Sequence, residues 1–541
     1  MRILGRLLSG VLQKYEKIIV YGTGWFAMQL YPIMCKNGLS EKIMCFAVST
    51  IDDQRQFEGF EIKEIDRIVC CKENTAILVA VTKQYQDEVA MRACKAGFTH
   101  IILPEEYVWS DENMMKLYQN LDYDEFIGCV YDNYISDCLN EKDLSGMTKE
   151  HLLAHNGKKD FDSMQIVYIS GCLTPRSTKI INALRKKGYT VTLILFGFIQ
   201  EIILNEVQSQ KISCIQCSCE EEVLFHALKY RPLVYFYEPP WKNCNWLQIV
   251  LQYKDNFRPI VVGLYDVMND GYAIEDQRLL ESEKYVLENA DGVVWRWFSK
   301  DYLKEEKGFL YKGKSIQFHD YCGGYLKDNK SIRQHAGNVL KLCTVQGSFW
   351  IFSQEGDVPD GYETFASLKD ITNLLGNRKD CVLDIYIGIC DEKGMEEAEK
   401  IEAIYSNIRF FWNTNHMELI DRLQDYDYGC EFYNSGKIIP LDMKIRYGVH
   451  EHYGSLNTNS VSNRFYDYID AGLPVISIMP HKQIDFLSKY GIIVHMCIQD
   501  FDMDFLIKNA EELKRKAVAA RQELDIDNHI DELIQFFKEL S

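Results

Sequence analysis

The residues with the most legible chemistry lie in VSNRFYDYIDAGLPVISI, residues 461–478. The spacing predicts a helix over 463–471, because Phe465, Tyr468 and Ile469 recur at i, i+3 and i+4 and form one apolar face. Arg464 and Asp467 stand three apart on another face. Gly472 suits a left-handed C-cap, Pro474 stops the helix, and VISI reads as a parallel strand. Ahead of the helix, Asn459, Ser460 and Ser462 are residue types that accept free backbone N–H bonds, and Asn463 opens the first turn. The remaining amides, the helix dipole and the Arg464 cation favour an anion such as a diphosphate at this end. One turn on, Asp467 offers a carboxylate that can accept bonds from both ribose hydroxyls. Phosphate at the end and ribose one turn in is the layout a nucleoside diphosphate requires. The same spacing also fits a packing helix whose Arg464 and Asp467 make a surface pair.

Such a helix needs a parallel sheet around it, since these sheets carry ligands at the carboxyl ends of their strands. The chain supplies three α/β series. KIIVYG, IMCFAVS, TAILVAVT and HIILP are short apolar runs within residues 15–108, with helical stretches between them. Residues 109–162 are first acidic and helical in pattern, then polar and loop-like. A second series starts with MQIVYISG at residue 164 and runs through YTVTLILF, PLVYFYEPP, RPIVVGLYD and DGVVWRWFS. A third starts near residue 337 with NVLKLCTVQGS and runs through CVLDIYIG, IRFFWNT, YDYGCEFY, LPVISI and GIIVHM to two closing helices. The expected fold class is α/β with three Rossmann-like units. The expected domains are 1–110, a Rossmann-like unit; 111–160, a helical linker; 161–325; and 326–541, which carries the helix above.

In the first unit, VYGTGWFAMQL places Gly22, Gly24 and Ala27 as a G-x-G-x-x-A between a strand and a helix. The glycines permit a tight turn and close approach of a pyrophosphate. The acidic pair Asp52 and Asp53 comes about 30 residues on, later than a dinucleotide fingerprint places it. A structural βα turn or an unidentified nucleotide therefore fits better than redox chemistry; a nucleotide-sugar dehydrogenase or epimerase unit is the competing reading. Upstream, MRILGRLLSGVLQKYEK sets Ile3, Leu4, Leu7, Leu8, Val11 and Leu12 on one face with Arg2, Arg6, Lys14 and Lys17 around it. That stretch suits docking on the first unit, and peripheral contact with an anionic membrane is the alternative.

The chain has 541 residues and a net charge of −19, which argues against a general nucleic-acid groove. Its 18 cysteines are scattered, as in a reduced cytoplasmic protein. No spanning apolar run and no signal peptide is read. Cys214, Cys217 and Cys219 cluster in CIQCSC but lack a paired knuckle, so they are taken as buried thiols. The 12 histidines show no ligand spacing, and no metal is expected. His450 and His452 sit in the loop before the helix at 463.

Residues Asn463, Tyr468, Gly472, Pro474, Val475 and Ile476 match the donor-site segment of GT-B glycosyltransferases, which typically reads Asn-Lys-x-x-Glu-Tyr-x-Ala-x-Gly-x-Pro-Val-Ile. Arg464 stands where that family often has Lys, and Asp467 where it has Glu. SEKYVLENADGVVWRWFS and HMELIDRLQDYDYGCEFY resemble two further segments of the family, in the family's order, so the resemblance covers about 161–541. The first unit resembles the front domain of bacterial sugar acyltransferases. The resemblance implies that 161–325 is an acceptor lobe and 326–541 a donor lobe. Asp467 would hold the ribose.

Two departures stand out. Asn459 occupies the place of a second, sugar-contacting Glu, and no Lys or Arg follows Gly347 at the end of the first donor-lobe strand. Diphosphate charge is then met by Arg464, by helix amides, or by Lys437, Lys444 and Arg446. In the acceptor lobe, Tyr265 replaces the usual His and Asp266 follows it at a strand end. In an inverting enzyme Asp266 would be the general base; otherwise it binds acceptor or caps a turn. Glu238 is a second strand-end carboxylate or a loop carboxylate beside two prolines, Gly171 permits close approach of the acceptor, and Arg176 would reach an acceptor anion or the diphosphate or else be a solvated surface charge. The implied activity is a cytoplasmic, bacterial, hexosyltransferase-like transfer from a nucleotide-diphosphate sugar to a glycan or lipid-linked acceptor in surface polysaccharide biosynthesis. It requires no cofactor. The alternative is a catalytically weak or inactive nucleotide-binding scaffold.

Overall fold

The computed structural model describes residues 12–24, 38–50, 55–81, 83–103, 121–135, 161–171, 173–196, 211–217, 220–238, 244–257, 259–264, 277–296, 310–323, 339–348, 378–389, 392–412, 414–431, 463–477, 486–496 and 501–541, with isolated residues between them. The chain divides into two compact units. One comprises 1–172, 192–199 and 213–260; the other comprises 173–191, 200–212 and 261–541.

In the first unit, β1 (Lys17–Tyr21), β2 (Ile43–Val48), β3 (Gln56–Phe57), β4 (Phe60–Glu64), β5 (Thr75–Val79) and β6 (His100–Ile102) form a sheet of order β3-β4-β2-β1-β5-β6. All pairings are parallel except the β3–β4 hairpin. Its central strands β1, β2 and β5 are mostly apolar because both of their faces are covered. Ile18 and Val20 point into one core with Phe46 and Leu78, while Ile19 and Tyr21 point into another with Cys45 and Ile77. Leu12, the described end of the amphipathic leader, is buried in the former. Helix α1 (Lys83–Lys95) covers the latter through Val89 and Ala93. The same unit holds α2 (Tyr123–Ile135) and the strands β7 (Asp162–Ser170), β8 (Thr190–Phe196), β9 (Cys214–Cys217) and β10 (Pro232–Glu238), ordered β10-β7-β8-β9.

The second unit opens with α3 (Pro175–Lys186). Thr174 caps it by accepting the Ser177 N–H at 3.3 Å, and Pro175 sits where the missing N–H costs nothing. Helices α4 (Glu220–Ala227) and α5 (Cys244–Gln252) belong to the first unit. The second continues with β11 (Ile260–Gly263), α6 (Gln277–Asn289), β12 (Gly292–Trp295) and β13 (Lys314–Gln317). Its large sheet contains β14 (Leu340–Ser348), β15 (Cys381–Ile389), β16 (Ile408–Trp412), β17 (Tyr428–Glu431), β18 (Val475–Ser477) and β19 (Ile493–His495). The helices around it are α7 (Glu392–Ile404), α8 (His416–Leu423), α9 (Asn463–Asp470), α10 (Met503–Glu523) and α11 (Ile530–Leu540). All pairings are parallel and the order is β16-β15-β14-β17-β18-β19. Numbered by appearance that is 3-2-1-4-5-6, the Rossmann order, whose reversal point lies between β14 and β17. The three parallel α/β sheets expected from the sequence are present. Among the described residues no helix is long and apolar enough to cross a membrane.

Helix α9 is where that sheet and its chemistry meet. Phe465, Tyr468 and Ile469 are fully buried, as their periodicity requires. The helix ends at Asp470 in a Schellman arrangement: Leu473 N–H bonds to Tyr468 O at 2.8 Å and Gly472 N–H to Ile469 O at 2.8 Å, with Gly472 at φ 75°. Strands β14 and β17 pair at Leu342–Tyr428 and Cys343–Gly429. Just beyond, the Tyr468 hydroxyl accepts the Val345 N–H at 2.9 Å and donates to Cys430 O at 3.0 Å. One phenol thus bridges both strands at the reversal point. Burial pushes its ionisation well above the usual value, so it remains a donor. The ring lies against Gly429, where a Cβ would stand 2.2 Å from Tyr468 Cγ.

Gly429→Ala should therefore cost about 1–3 kcal/mol of stability, read as a lowered denaturant midpoint, because neither sheet backbone nor ring has room to yield. A variant with unchanged midpoint would show that α9 does not pack on β17 as described.

Candidate functional site

At the carboxyl end of β17, the Glu431 side chain is 1% exposed and lies 3.5 Å from Arg464 Nη1, itself 18% exposed. Arg464 is in the first turn of α9, so its cation reaches the reversal point with its direction set by a buried carboxylate. Gly347 is the penultimate residue of β14, the strand on the other side of the split. The carboxylate beside Arg464 is Glu431, not the Asp467 of the alternative packing-helix reading.

Asp467 also departs from expectation. Its side chain is 7% exposed rather than presented on a free face. Oδ1 lies 3.0 Å from His416 Nε2 and 3.6 Å from Lys179 Nζ. Burial works to raise its ionisation, but His416 and then Lys179 outweigh it, and the carboxyl lies below its ordinary value of 3.8. His416 is the first residue of α8, fixed there because the Asn415 side chain caps the helix by accepting the Glu418 N–H at 2.9 Å. Lys179 comes from the middle of α3 and also meets Asp470 Oδ2 at 2.8 Å and Tyr321 O at 3.3 Å. The Asp470 carboxylate accepts the Gly323 N–H at 2.8 and 2.9 Å, and Arg521 of α10 donates to the Asp470 carbonyl at 3.2 Å. One ammonium thus bridges two aspartates of α9, and that helix is anchored on its polar side as firmly as on its apolar one.

Arg176, expected to reach an acceptor anion, is instead buried within α3's surroundings. Its Nε lies 2.9 Å from Asp320 Oδ1 and its Nη2 donates to Phe318 O at 3.0 Å. Arg296 grips the same carboxylate at 2.7–2.9 Å. With a side chain 1% exposed, Arg176 braces α3 and does not present itself to a ligand.

In the first unit, Ser170 and Glu238 are register partners at the ends of β7 and β10, and the Gly171 N–H donates to Glu238 O at 3.4 Å. These two predicted residues are thus brought together where β10-β7-β8-β9 reverses, and the Glu238 side chain is half-buried. Gly22 has φ 125°, and a Cβ there would lie 2.5 Å from Ala80 O, so strand packing alone demands glycine. At Gly24 a Cβ would meet nothing within 4 Å. Ala27 is buried in the helical stretch that follows. Tyr265, Asp266, Asn459, Ser460 and Ser462, with Lys437, Lys444, Arg446, His450, His452, Asp52, Asp53 and Cys219, lie outside the described residues, and Asn463 is placed as the first residue of α9. Sequence reading missed Glu431, His416 and Lys179. Glu431 closes an apolar strand and was open to suspicion on that ground; the other two carry no local signal.

No protein-family model and no curated protein sequence matches the chain. Solved structures do. HepE (Alr3699) of Anabaena, solved with UDP, aligns with TM-score 0.48 at 11% identity over 70% of this chain and 100% of its own. WaaG, a glycosyltransferase involved in lipopolysaccharide biosynthesis, aligns with TM-score 0.39 at 11% identity over 69% and 99%. MurG of Acinetobacter baumannii aligns with TM-score 0.34 at 12% identity over 69% and 99%. Likeness this distant does not assign an activity.

Two outcomes follow from the buried charges. Lys179→Met leaves Asp467 and Asp470 facing each other without their shared ammonium and should cost about 3–5 kcal/mol, measured by chemical denaturation. Because the folded Asp467 carboxyl is depressed, its contribution is present above its ordinary value of 3.8 and is lost as pH falls through the lower folded value. The stability gap between wild type and Asp467→Asn should accordingly be flat near neutrality and close on acidification. A gap that widens towards acid contradicts the assignment.

Proposed function

We propose that this chain is a GT-B-type glycosyltransferase that takes a hexose from a nucleotide-diphosphate sugar and passes it to a hydroxyl of a glycan or lipid-linked acceptor. The observation that carries the reading is Arg464, steered by Glu431 to the reversal point of a 3-2-1-4-5-6 sheet. Open α/β sheets bind ligands outside the carboxyl ends of their strands at that point. The first turn of α9 adds N–H groups and the positive end of a helix dipole. As the glycosidic bond breaks, charge builds on the departing diphosphate, and a fixed guanidinium with fixed amides stabilises it without reorganising. The acceptor proton passes to a carboxylate, which the sequence reading assigns to Asp266 in an inverting reaction, and the same reading assigns Gly171 and Glu238 to the acceptor.

Asp467 takes a different role here from the ribose ligand read in the sequence. Held ionised by His416 and Lys179, it positions α9 and with it Arg464. A surface-polysaccharide role, a bacterial cytoplasmic setting and membrane contact through the amphipathic leader complete the proposal and rest on the motif resemblance and the leader's pattern.

Calorimetric titration with UDP, GDP and ADP tests it, alongside hydrolysis of the matching sugar donors. One nucleoside diphosphate should bind, and Arg464→Gln should weaken it at least about tenfold, or roughly 1.4 kcal/mol. Asp467→Asn should lower the melting temperature more than the affinity. Binding of none, or an unaffected Arg464→Gln variant, overturns the donor site. Binding without turnover on any donor favours a nucleotide-binding scaffold, the reading that the enclosed Asp467 supports.

A further inference from the structure

We propose that Cys217, Glu222 and His226 of the first unit form a site for a divalent transition metal, with zinc the best match. Cys217 is the last residue of β9, and Glu222 and His226 stand four apart on α4, one turn along a single helix face. Their ligand atoms all lie within 4.8 Å of one another, with Cys217 and Glu222 buried and His226 half-buried. Bonds of about 2.0–2.3 Å to a common tetrahedral ion bring such atoms within about 4 Å of each other, so closure needs only small side-chain adjustments. Thiolate, imidazole and carboxylate together suit zinc rather than magnesium or calcium, which prefer oxygen alone. Three protein ligands leave the fourth position to solvent.

A cation already stands beside this set. Lys229 Nζ is 3.1 Å from His226 Nδ1, and its charge is felt by Cys217. Metal binding takes up the Cys217 sulfur as thiolate and releases its proton to solvent, so affinity falls with falling pH. The bound ion clips the end of β9 to α4 and stiffens the first unit.

The test uses the full-length protein, stripped with a chelator and titrated with Co²⁺ and then Zn²⁺. One equivalent of Co²⁺ should raise a sulfur-to-cobalt charge-transfer band that Zn²⁺ then abolishes. Cys217→Ser should remove the band. Glu222→Gln and His226→Ala should weaken uptake by at least the roughly 10–100-fold that outer-shell changes alone can cost. Cys214→Ser is the control and should keep the band. Melting curves in chelator check that each variant folds, and added Zn²⁺ should raise the melting temperature of wild type and of Cys214→Ser but not of Cys217→Ser. Lack of stoichiometric uptake, or a band that survives Cys217→Ser and so belongs to another of the 18 cysteines, overturns the site.

Discussion

The contact on which the second unit's chemistry depends is that between the Tyr468 phenol and the gap between β14 and β17. At the reversal point of a Rossmann sheet the connections leaving the two central strands run to opposite faces, and here the β14–β17 ladder covers Leu342–Tyr428 and Cys343–Gly429. Here the Val345 N–H and the Cys430 carbonyl are satisfied by one hydroxyl from α9. The ring reaches them only because residue 429 is glycine. The same contact fixes the height and rotation of α9, and so decides where Arg464 points.

The polar side of α9 follows the same logic. Carboxylates at 467 and 470 are costly to bury, and for Asp467 burial by itself works to raise the ionisation. Lys179 between them and His416 beside Asp467 turn the balance for Asp467, whose ionisation ends below the ordinary value despite enclosure. Buried ion pairs of this kind add little net stability over an apolar core of equal volume. Their effect is to admit one orientation of α9 against α3 and α8. Arg176, Asp320 and Arg296 hold α3 in turn, so the position of Arg464 rests on two linked charge clusters.

Much of this was readable from the chain alone. The strands announced themselves because parallel sheets are covered on both faces, giving runs such as TAILV and PLVYFYE with almost no alternation. Helix α9 announced itself because its apolar residues, its Gly472 stop and Pro474 are all local signals. What stayed hidden is what depends on distance along the chain. His416 meets Asp467 across 51 residues, and Gly323 meets Asp470 across 147. A three-residue spacing on a helix names a face, not its neighbours, so Asp467 read as exposed when it is enclosed. Arg176 was misplaced for the same reason: a cation near a helix start looks like an anion ligand until Asp320 is seen beside it. Cys217 was set aside because its partners on α4 come after it in a pattern that matches no knuckle motif.

The first turn of α9 and Arg464 are proposed to receive the two phosphoryl groups of a donor. A crystal structure of the protein soaked with a nucleoside diphosphate tests it most directly. The diphosphate should lie at the carboxyl edge between β14 and β17, within hydrogen-bond reach of the Arg464 guanidinium. Diphosphate seated elsewhere, for example at the Gly22–Gly24 turn of the first sheet and out of reach of Arg464, overturns that assignment.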